Sequence, residues 1–129
     1  MQNNAARLIF RCSRSTHVTP LLHSLHWLPV DRRIDYKLSL LTFKSFNNQA
    51  PAYLSDLLHV YTPSRQLRSS ADTRLLRIPH VRTKTFGQRS FSYQAPTTWN
   101  KLPLTVRSAS SIPSFKSSLK TTLFTISDQ

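Results

Sequence analysis

The chain contains eight prolines and a single glycine, Gly87, and this imbalance limits the folds that it can adopt. Proline lacks the N–H that a helix interior or a central strand uses, whereas glycine supplies the left-handed backbone that ends many helices. With so little glycine, most turns must be formed by proline, asparagine and serine. We therefore expect short helices separated by prolines, and not a glycine-rich sheet protein. The length of 129 residues suits one domain with one core.

The strongest helical pattern begins at Asp31 and continues to about residue 48, in DRRIDYKLSLLTFKSFNN. At 100° per residue its apolar residues fall on two nearly opposite faces, one formed by Ile34, Leu38 and Leu41 and the other by Tyr36, Leu40 and Phe43. A helix with apolar residues on two sides is usually enclosed by other elements. We therefore expect the central helix at 31–48, with one side as a candidate contact with a neighbouring domain.

Other segments show the same helical spacing of apolar residues. They are 4–12, the stretch from Thr19 to Pro29, 51–61 with the stripe Leu54, Leu57, Leu58 and Tyr61, and 112–125 with Phe115, Leu119 and Leu123. Residues 86–95 are a further candidate helix, and Pro96 and Pro103 each suit the first turn of a short helical segment. Residues 62–85 lose the helical period. A short strand at 74–78 is expected at a sheet edge, because a proline follows it.

These patterns together predict a mainly α fold, a small bundle of short helices around the helix at 31–48, with a short β or irregular basic segment around 65–85. We expect a single domain or fragment over 1–129, with a helical part at 4–61, the basic segment at 62–85 and a helical C-terminal part at 86–125. The expected core residues are Trp27, Ile34, Leu38, Leu41, Leu57, Trp99, Leu102, Phe115 and Leu119.

The charge balance favours a polyanionic partner. Eighteen Lys and Arg residues oppose five acids, all aspartates, so the formal net charge is +13. An excess of this size favours nucleic acid or an anionic membrane surface. Nine of the basic residues lie between 65 and 107, where Asp72 is the sole acid and hydroxyl residues are interleaved. The candidate nucleic-acid contacts are Arg65, Arg68, Arg74, Arg77, Arg82, Lys84 and Arg89. The alternative is a solvated irregular loop without a partner, and nothing in the pattern indicates sequence specificity.

Patterns for catalysis and metal binding are weak. Asp31 and Asp35 are four residues apart but lie among arginines and a lysine, which favours capping and local ion pairing over acid–base chemistry. The spacing C-x4-H-x5-H-x2-H from Cys12 to His26 matches no common zinc framework. There is no glycine-rich phosphate loop. We therefore expect no enzymatic activity, no metal, no cofactor and no small-molecule substrate.

Cysteine and targeting patterns bear on localisation. The single cysteine excludes an intramolecular disulfide and suits a reducing compartment. No apolar run approaches the ~20 residues of a membrane span, so we expect no membrane partner. Residues 1–30 carry three arginines and no acid, as a mitochondrial presequence would, but they continue into patterned sequence without a break. We expect a nuclear or cytoplasmic protein, with mitochondrial targeting as a minor alternative.

The stretch SYQAPTTWNKLP places Trp99 and Asn100 between two prolines. In a basic chain a Trp–Asn pair suits stacking on a base and hydrogen bonding to its edge. The flanking prolines favour a core anchor instead, with Trp99 and Leu102 about one turn apart on a shared buried face. Asn100 is then expected to form a local side-chain-to-backbone bond that closes the segment before Pro103.

The order of several motifs resembles one family. The motifs are THVTPLLHSLHWLPVDRRIDYKLSLLTFKSFNNQAPAYLSDLL, YTPSRQLRSS, QAPTTWNKLP and SFKSSLKTTLF. They are similar to the region that follows the reverse-transcriptase domain in polyproteins of non-LTR (LINE-type, jockey-like) retrotransposons. The resemblance covers nearly the whole chain, from about Ala5 to Phe124.

The resemblance implies a non-catalytic C-terminal accessory segment of an RNA-directed DNA polymerase. In that family the metal-binding aspartates lie upstream in the palm, and no Tyr-x-Asp-Asp motif occurs here, so no catalytic residue carries over. The implied role is to bind template RNA or target DNA, with a reverse-transcriptase domain as a possible partner. A structural or docking module for the polymerase remains an alternative. So does a degenerate orphan fragment, from a truncated element copy, with no independent function.

Overall fold

In a computed structural model that describes residues 1–64 and 74–127, the chain is mainly helical, which confirms the predicted fold class. Within these residues it forms α1 (Gln2–Ile9), α2 (Thr19–Ser24), α3 (Val30–Phe46), α4 (Ala52–Ser55), α5 (Phe91–Asn100), α6 (Leu104–Arg107) and α7 (Ile112–Ser127). A short 3-10 helix, Gly87–Arg89, precedes α5. The part of the predicted basic segment at 65–73 lies outside the described residues.

Helix α3 is the centre of the fold and packs against both α5 and α7. It begins directly after Pro29, whose extended backbone (φ −54°, ψ 156°) leads into the first turn. Asp31 lies in that first turn, where a carboxylate interacts favourably with the helix dipole. The observed bounds are within two residues of the predicted helix at 31–48.

The scarcity of glycine is visible where the first three helices end. At the end of α2 the N–H of Trp27 donates to the carbonyl of Leu22 (2.9 Å), and the N–H of His26 donates to that of His23 (3.0 Å). This pair of bonds is the Schellman motif, which requires left-handed backbone at one residue, usually glycine. The ends of α1 and α3 have the same bonds. The left-handed residues are Arg11 (φ 50°), His26 (φ 52°) and Asn48 (φ 54°).

The hydrophobic core forms where α3, α5 and α7 meet. Its members are Leu28, Phe43, Leu76, Trp99, Leu102, Val106, Phe115, Leu119 and Leu123. The ring of Phe115 lies at the centre, stacked on Phe43 with 4.2 Å between centroids and 5.9 Å from the centroid of Trp99. Trp99 is 1% exposed, so the tryptophan is a core residue and not an open stacking platform.

Part of the expected core is wrong. Ile34 and Leu57 are 57% and 44% exposed, while Trp27, Leu38 and Leu41 are half-buried. On the face of α3 that carries Ile34, burial increases along the helix, since Leu38 and Leu41 are half-buried and Ser45 is 6% exposed. This face is therefore covered toward the C-terminal end of α3 and open near its start, where Ile34 lies.

Two predicted helix boundaries are also corrected. The predicted helix at 51–61 is reduced to the four residues of α4, because the chain turns and then extends so that Val60 pairs with Leu76. Leu57 therefore lies past the helix and not on a buried stripe. Pro96 does not start a segment but lies buried inside α5, which continues through it to Asn100.

Candidate nucleic-acid interface

The predicted strand at 74–78 is a single extended segment held from both sides. On one side Tyr61 donates its N–H to the carbonyl of Leu75 (2.9 Å) and Arg77 donates to the carbonyl of His59 (2.8 Å), which makes an antiparallel bridge between Val60 and Leu76. In such a bridge the N–H and C=O of Leu76 point away from Val60. A second partner must therefore satisfy them.

That second partner is the side chain of Asn100. The N–H of Leu76 donates to Asn100 Oδ1 (2.9 Å), and Asn100 Nδ2 donates to the carbonyl of Leu76 (2.8 Å). The carboxamide thus takes the place that a third strand would occupy. Trp99 Nε1 donates to the carbonyl of Arg74 (2.7 Å), two residues earlier on the same side of the segment. The expectation that Asn100 makes a local bond is corrected, because these bonds reach 24 residues back along the chain.

The alternation of an extended chain orients the basic side chains of this segment. Leu76 points into the core and is 2% exposed, so its neighbour Arg77 points outward and is exposed. Arg77 lines a groove of about 290 Å³ together with Asp56, Leu57, His59, Pro79, His80 and Ser92. The two histidines were not predicted as site residues. His59 is brought to Arg77 by the pairing of distant segments, for which the local sequence has no signal, whereas His80 lies three residues after Arg77 in the same segment.

The segment that follows, residues 81–90, has a compact turn around Gly87. Thr83 Oγ1 accepts from the N–H of Gly87 (2.9 Å), and the carbonyl of Thr83 accepts from the N–H of Gln88 (3.2 Å). A Cβ at position 87 would lie 2.8 Å from the Cβ of Val81, so glycine is required here by close approach. Arg82, Lys84 and Arg89 are exposed on this turn.

The predicted contacts divide into three groups. Arg65 and Arg68 lie outside the described residues. Arg77, Arg82, Lys84 and Arg89 are exposed, and their side chains make no hydrogen bond or ion pair within residues 1–64 and 74–127. Arg74 is exposed as well, but its Nη1 donates to the carbonyl of Arg107 (2.7 Å), so part of its guanidinium has a structural role.

Arg107 belongs to the core and not to the basic surface. It is 5% exposed, and its Nε donates to the carbonyl of Leu102 (2.9 Å). The bonds from Trp99 to Arg74 and from Arg74 to Arg107 connect the start of the extended segment to α5 and α6. The count of basic residues between 65 and 107 therefore overstates the cations that are available to a partner.

Metal-binding clusters and membrane-spanning helices are two further features that bear on function. Within the described parts of the chain, no three His, Cys, Asp or Glu residues lie close enough together to hold a metal ion. In the same residues, no helix has the length and apolar character needed to cross a bilayer. Comparison with known proteins found no matching family model, no matching curated protein and no matching solved structure.

Proposed function

We propose that this chain is a non-catalytic module that binds RNA or DNA through the exposed cations of residues 77–89, without sequence specificity. The observation that carries the proposal is a set of four exposed cations that form no hydrogen bond or ion pair with the residues that the structure describes, on a segment that is bonded to the core. Arg77, Arg82, Lys84 and Arg89 are this set, and we name them the basic surface.

The attachment of the segment supports binding as well as stability. The hydrogen bonds of Asn100 and Trp99 fix the backbone at Leu76 and Arg74, so Arg77 starts from a held position. A flexible loop loses conformational entropy when it binds a partner. A segment that is already ordered in the free protein avoids most of this loss. Guanidinium groups bind phosphate oxygens through two parallel N–H donors, which suits arginine for this surface.

The absence of specificity follows from the kinds of group on this surface. Contacts to phosphate position a protein on nucleic acid but carry no sequence information, which comes from contacts to base edges. Trp99 and Asn100 are the residues best suited to contacting a base, but their side chains make hydrogen bonds to the backbone of Arg74 and Leu76. Affinity should therefore depend on charge and salt and little on base composition.

The biological setting is a proposal based on the sequence motifs. Their order resembles the region after the reverse-transcriptase domain of non-LTR retrotransposons, where an accessory segment would bind template RNA or target DNA beside the polymerase. The +13 net charge and the basic surface support this setting.

The test replaces cations of the basic surface and compares the result with an equal loss of charge elsewhere. Arg77→Gln, Arg82→Gln and Arg89→Gln together should lower affinity for both RNA and DNA by roughly 10- to 100-fold and reduce the slope of log K against log salt by about 2. Arg74 is left in place because of its bond to Arg107.

The matched control is Lys37→Gln, Lys101→Gln and Lys116→Gln, three exposed lysines on or beside α3, α5 and α7. It removes the same charge but should lower affinity by less than about threefold, since it changes only the overall field. Equal losses in the two variants would mean that net charge acts without a defined surface, and the proposal would fail.

A second candidate function is docking onto a polymerase domain. Val30 and Ile34, one helical turn apart on α3, are each 57% exposed. Outward apolar residues on a central helix suit a covered contact. The isolated chain should then self-associate or bind a hydrophobic dye, and Val30→Gln with Ile34→Gln should abolish both. A monomeric wild-type chain without dye binding would count against docking.

A further inference from the structure

A second basic site lies near the start of the sequence, in residues that do not belong to the basic surface. A groove of about 470 Å³ lies beside α1 and the loop that follows it. Its lining residues are Asn4, Arg7, Leu8, Arg11, Cys12 and Arg14. The lining contains three arginines and no acid, and the first acid in the sequence is Asp31. We name this site the N-terminal groove.

The wall of the N-terminal groove is held in place by one of its own arginines. Arg7 donates from Nε (3.2 Å) and from Nη2 (3.1 Å) to the carbonyl of Thr16, which draws the loop back toward α1. The N–H of Cys12 donates to the carbonyl of Arg7 (2.9 Å), and the N–H of Thr16 donates to that of Ser13 (3.1 Å). The loop is therefore internally bonded and attached to the helix.

The remaining donors suit a phosphate group. Arg11 and Arg14 are exposed, and neither side chain forms a hydrogen bond or ion pair within the described residues. Arg7 uses two of the five N–H donors of a guanidinium and keeps the others. Asn4 adds an exposed carboxamide at the rim. Several guanidinium groups beside one concave surface match the geometry of phosphate oxygens.

We infer that the N-terminal groove binds phosphate groups of the same nucleic-acid strand that the basic surface contacts, which makes binding bipartite. This inference rests on the proposed function. Two sites joined in one folded chain raise the affinity for a long polyanion beyond that of either site, because the second contact becomes intramolecular. An oligonucleotide long enough to reach both sites should bind more tightly than a short one of equal charge density.

Arg11→Gln with Arg14→Gln tests the groove without disturbing Arg7, which holds the loop. The variant should bind a long single-stranded RNA about tenfold more weakly, with a salt slope lower by about 1.4, which corresponds to two phosphate contacts. It should bind a short oligonucleotide nearly as the wild type does. Lys37→Gln with Lys116→Gln, which removes the same charge, should leave both affinities within about threefold.

The alkylation rate of Cys12 reports on whether the N-terminal groove is occupied, independently of the effect of charge on affinity. It is the single cysteine of the chain, is half-buried and lines the groove. A strand bound there should slow alkylation of its thiol by iodoacetamide several-fold at saturating long RNA. The same RNA should leave the alkylation rate unchanged in the Arg11→Gln/Arg14→Gln variant. Unchanged alkylation in the wild type at saturation would overturn the inference.

Phospholipid headgroups have the same phosphate chemistry, and Leu8, Ile9 and Phe10 beside the groove are 80%, 54% and 40% exposed. Phosphatidylserine vesicles therefore form a separate arm of the experiment. Loss of vesicle binding in the Arg11→Gln/Arg14→Gln variant, with RNA binding intact, would assign the groove to lipid and overturn the inference. Failure of the proposed function is distinct, because wild-type chain would then bind no oligonucleotide at low salt.

Discussion

The carboxamide of Asn100 exchanges two hydrogen bonds with the backbone of Leu76, at 2.9 and 2.8 Å, across 24 residues of sequence. Through this pair one side chain completes the hydrogen bonding of an extended segment whose backbone also bonds to residues 59–61 and to Trp99. The basic surface begins at the next residue, Arg77. Helix α5 therefore contributes to the core through Trp99 and to the candidate interface through Asn100.

Replacing Asn100 tests this relationship. Asn100→Ala leaves the N–H and C=O of Leu76 without their partner, and we expect a loss of about 2–4 kcal/mol in the free energy of unfolding. Asn100→Asp keeps the acceptor for the N–H but places a carboxylate oxygen against the carbonyl of Leu76, so its loss should be at least as large. Urea denaturation followed by circular dichroism measures both. Asn3→Ala, at an exposed position, should change stability by less than ~0.5 kcal/mol.

Trp99 is expected to act through packing and through one bond. Trp99→Ala should cost about 3–5 kcal/mol, because it removes a ring that contacts those of Phe46 and Phe115. Trp99→Phe keeps an aromatic ring but loses the donor to the Arg74 carbonyl, and we expect a loss of about 1–3 kcal/mol. Thermal unfolding distinguishes the two. A Trp99→Ala chain that stays folded and loses only nucleic-acid binding would refute the core assignment.

Truncating Ser39 should not lower the free energy of unfolding, unlike truncating Asn100 or Trp99. Its hydroxyl is buried and has no hydrogen-bond partner within the described residues. Removing a buried hydroxyl that lacks a partner avoids its desolvation, so Ser39→Ala should be neutral or stabilise the protein by up to about 1 kcal/mol. Ser39→Leu should destabilise by about 1–3 kcal/mol or more, because neighbouring helices are packed against this position. Destabilisation by Ser39→Ala would show that the hydroxyl has a partner.

Arg11 should show a conflict between stability and binding. Arg11→Gly relieves the left-handed backbone and should raise the free energy of unfolding by about 0.5–1 kcal/mol, while it weakens binding to long RNA. Asn48→Gly is the matched control, since it has the same backbone (φ 54°) in a residue that tolerates it better. It should stabilise less and leave binding unchanged. Melting curves and RNA titrations of both variants measure the two effects. Binding of long RNA by Arg11→Gly as tightly as by the wild type would contradict this expectation.

Some elements could be predicted because a local pattern determines them. Helix α7 follows from the spacing of Phe115, Leu119 and Leu123, all of which are at most 3% exposed. Helix α3 follows from the proline before it and the apolar period within it. The burial of Trp99 follows from its size and from the flanking prolines. In each case the information lies within a few turns of one helix.

Other features depended on distant partners and were missed. The apolar stripe after Pro51 indicates a helix to Tyr61, but pairing of Val60 with Leu76 ends the helix early. Ile34 fits the apolar period of α3, but the period does not indicate which turns of the helix are covered by neighbours, and the turn that carries Ile34 is exposed. The two bonds of Asn100 were missed for the same reason, since no local pattern identifies a partner 24 residues away.

The salt dependence of nucleic-acid binding by the wild-type chain tests the central claim most directly. RNA and DNA of the same length, titrated by fluorescence anisotropy between low and moderate salt, should bind with affinities that fall steeply and linearly in log–log form. If the four cations of the basic surface each displace a counterion, the slope of log K against log salt for a single strand should be about −3 or steeper. Binding that is absent at low salt, or unchanged as salt rises, would contradict the claim that these cations contact phosphate.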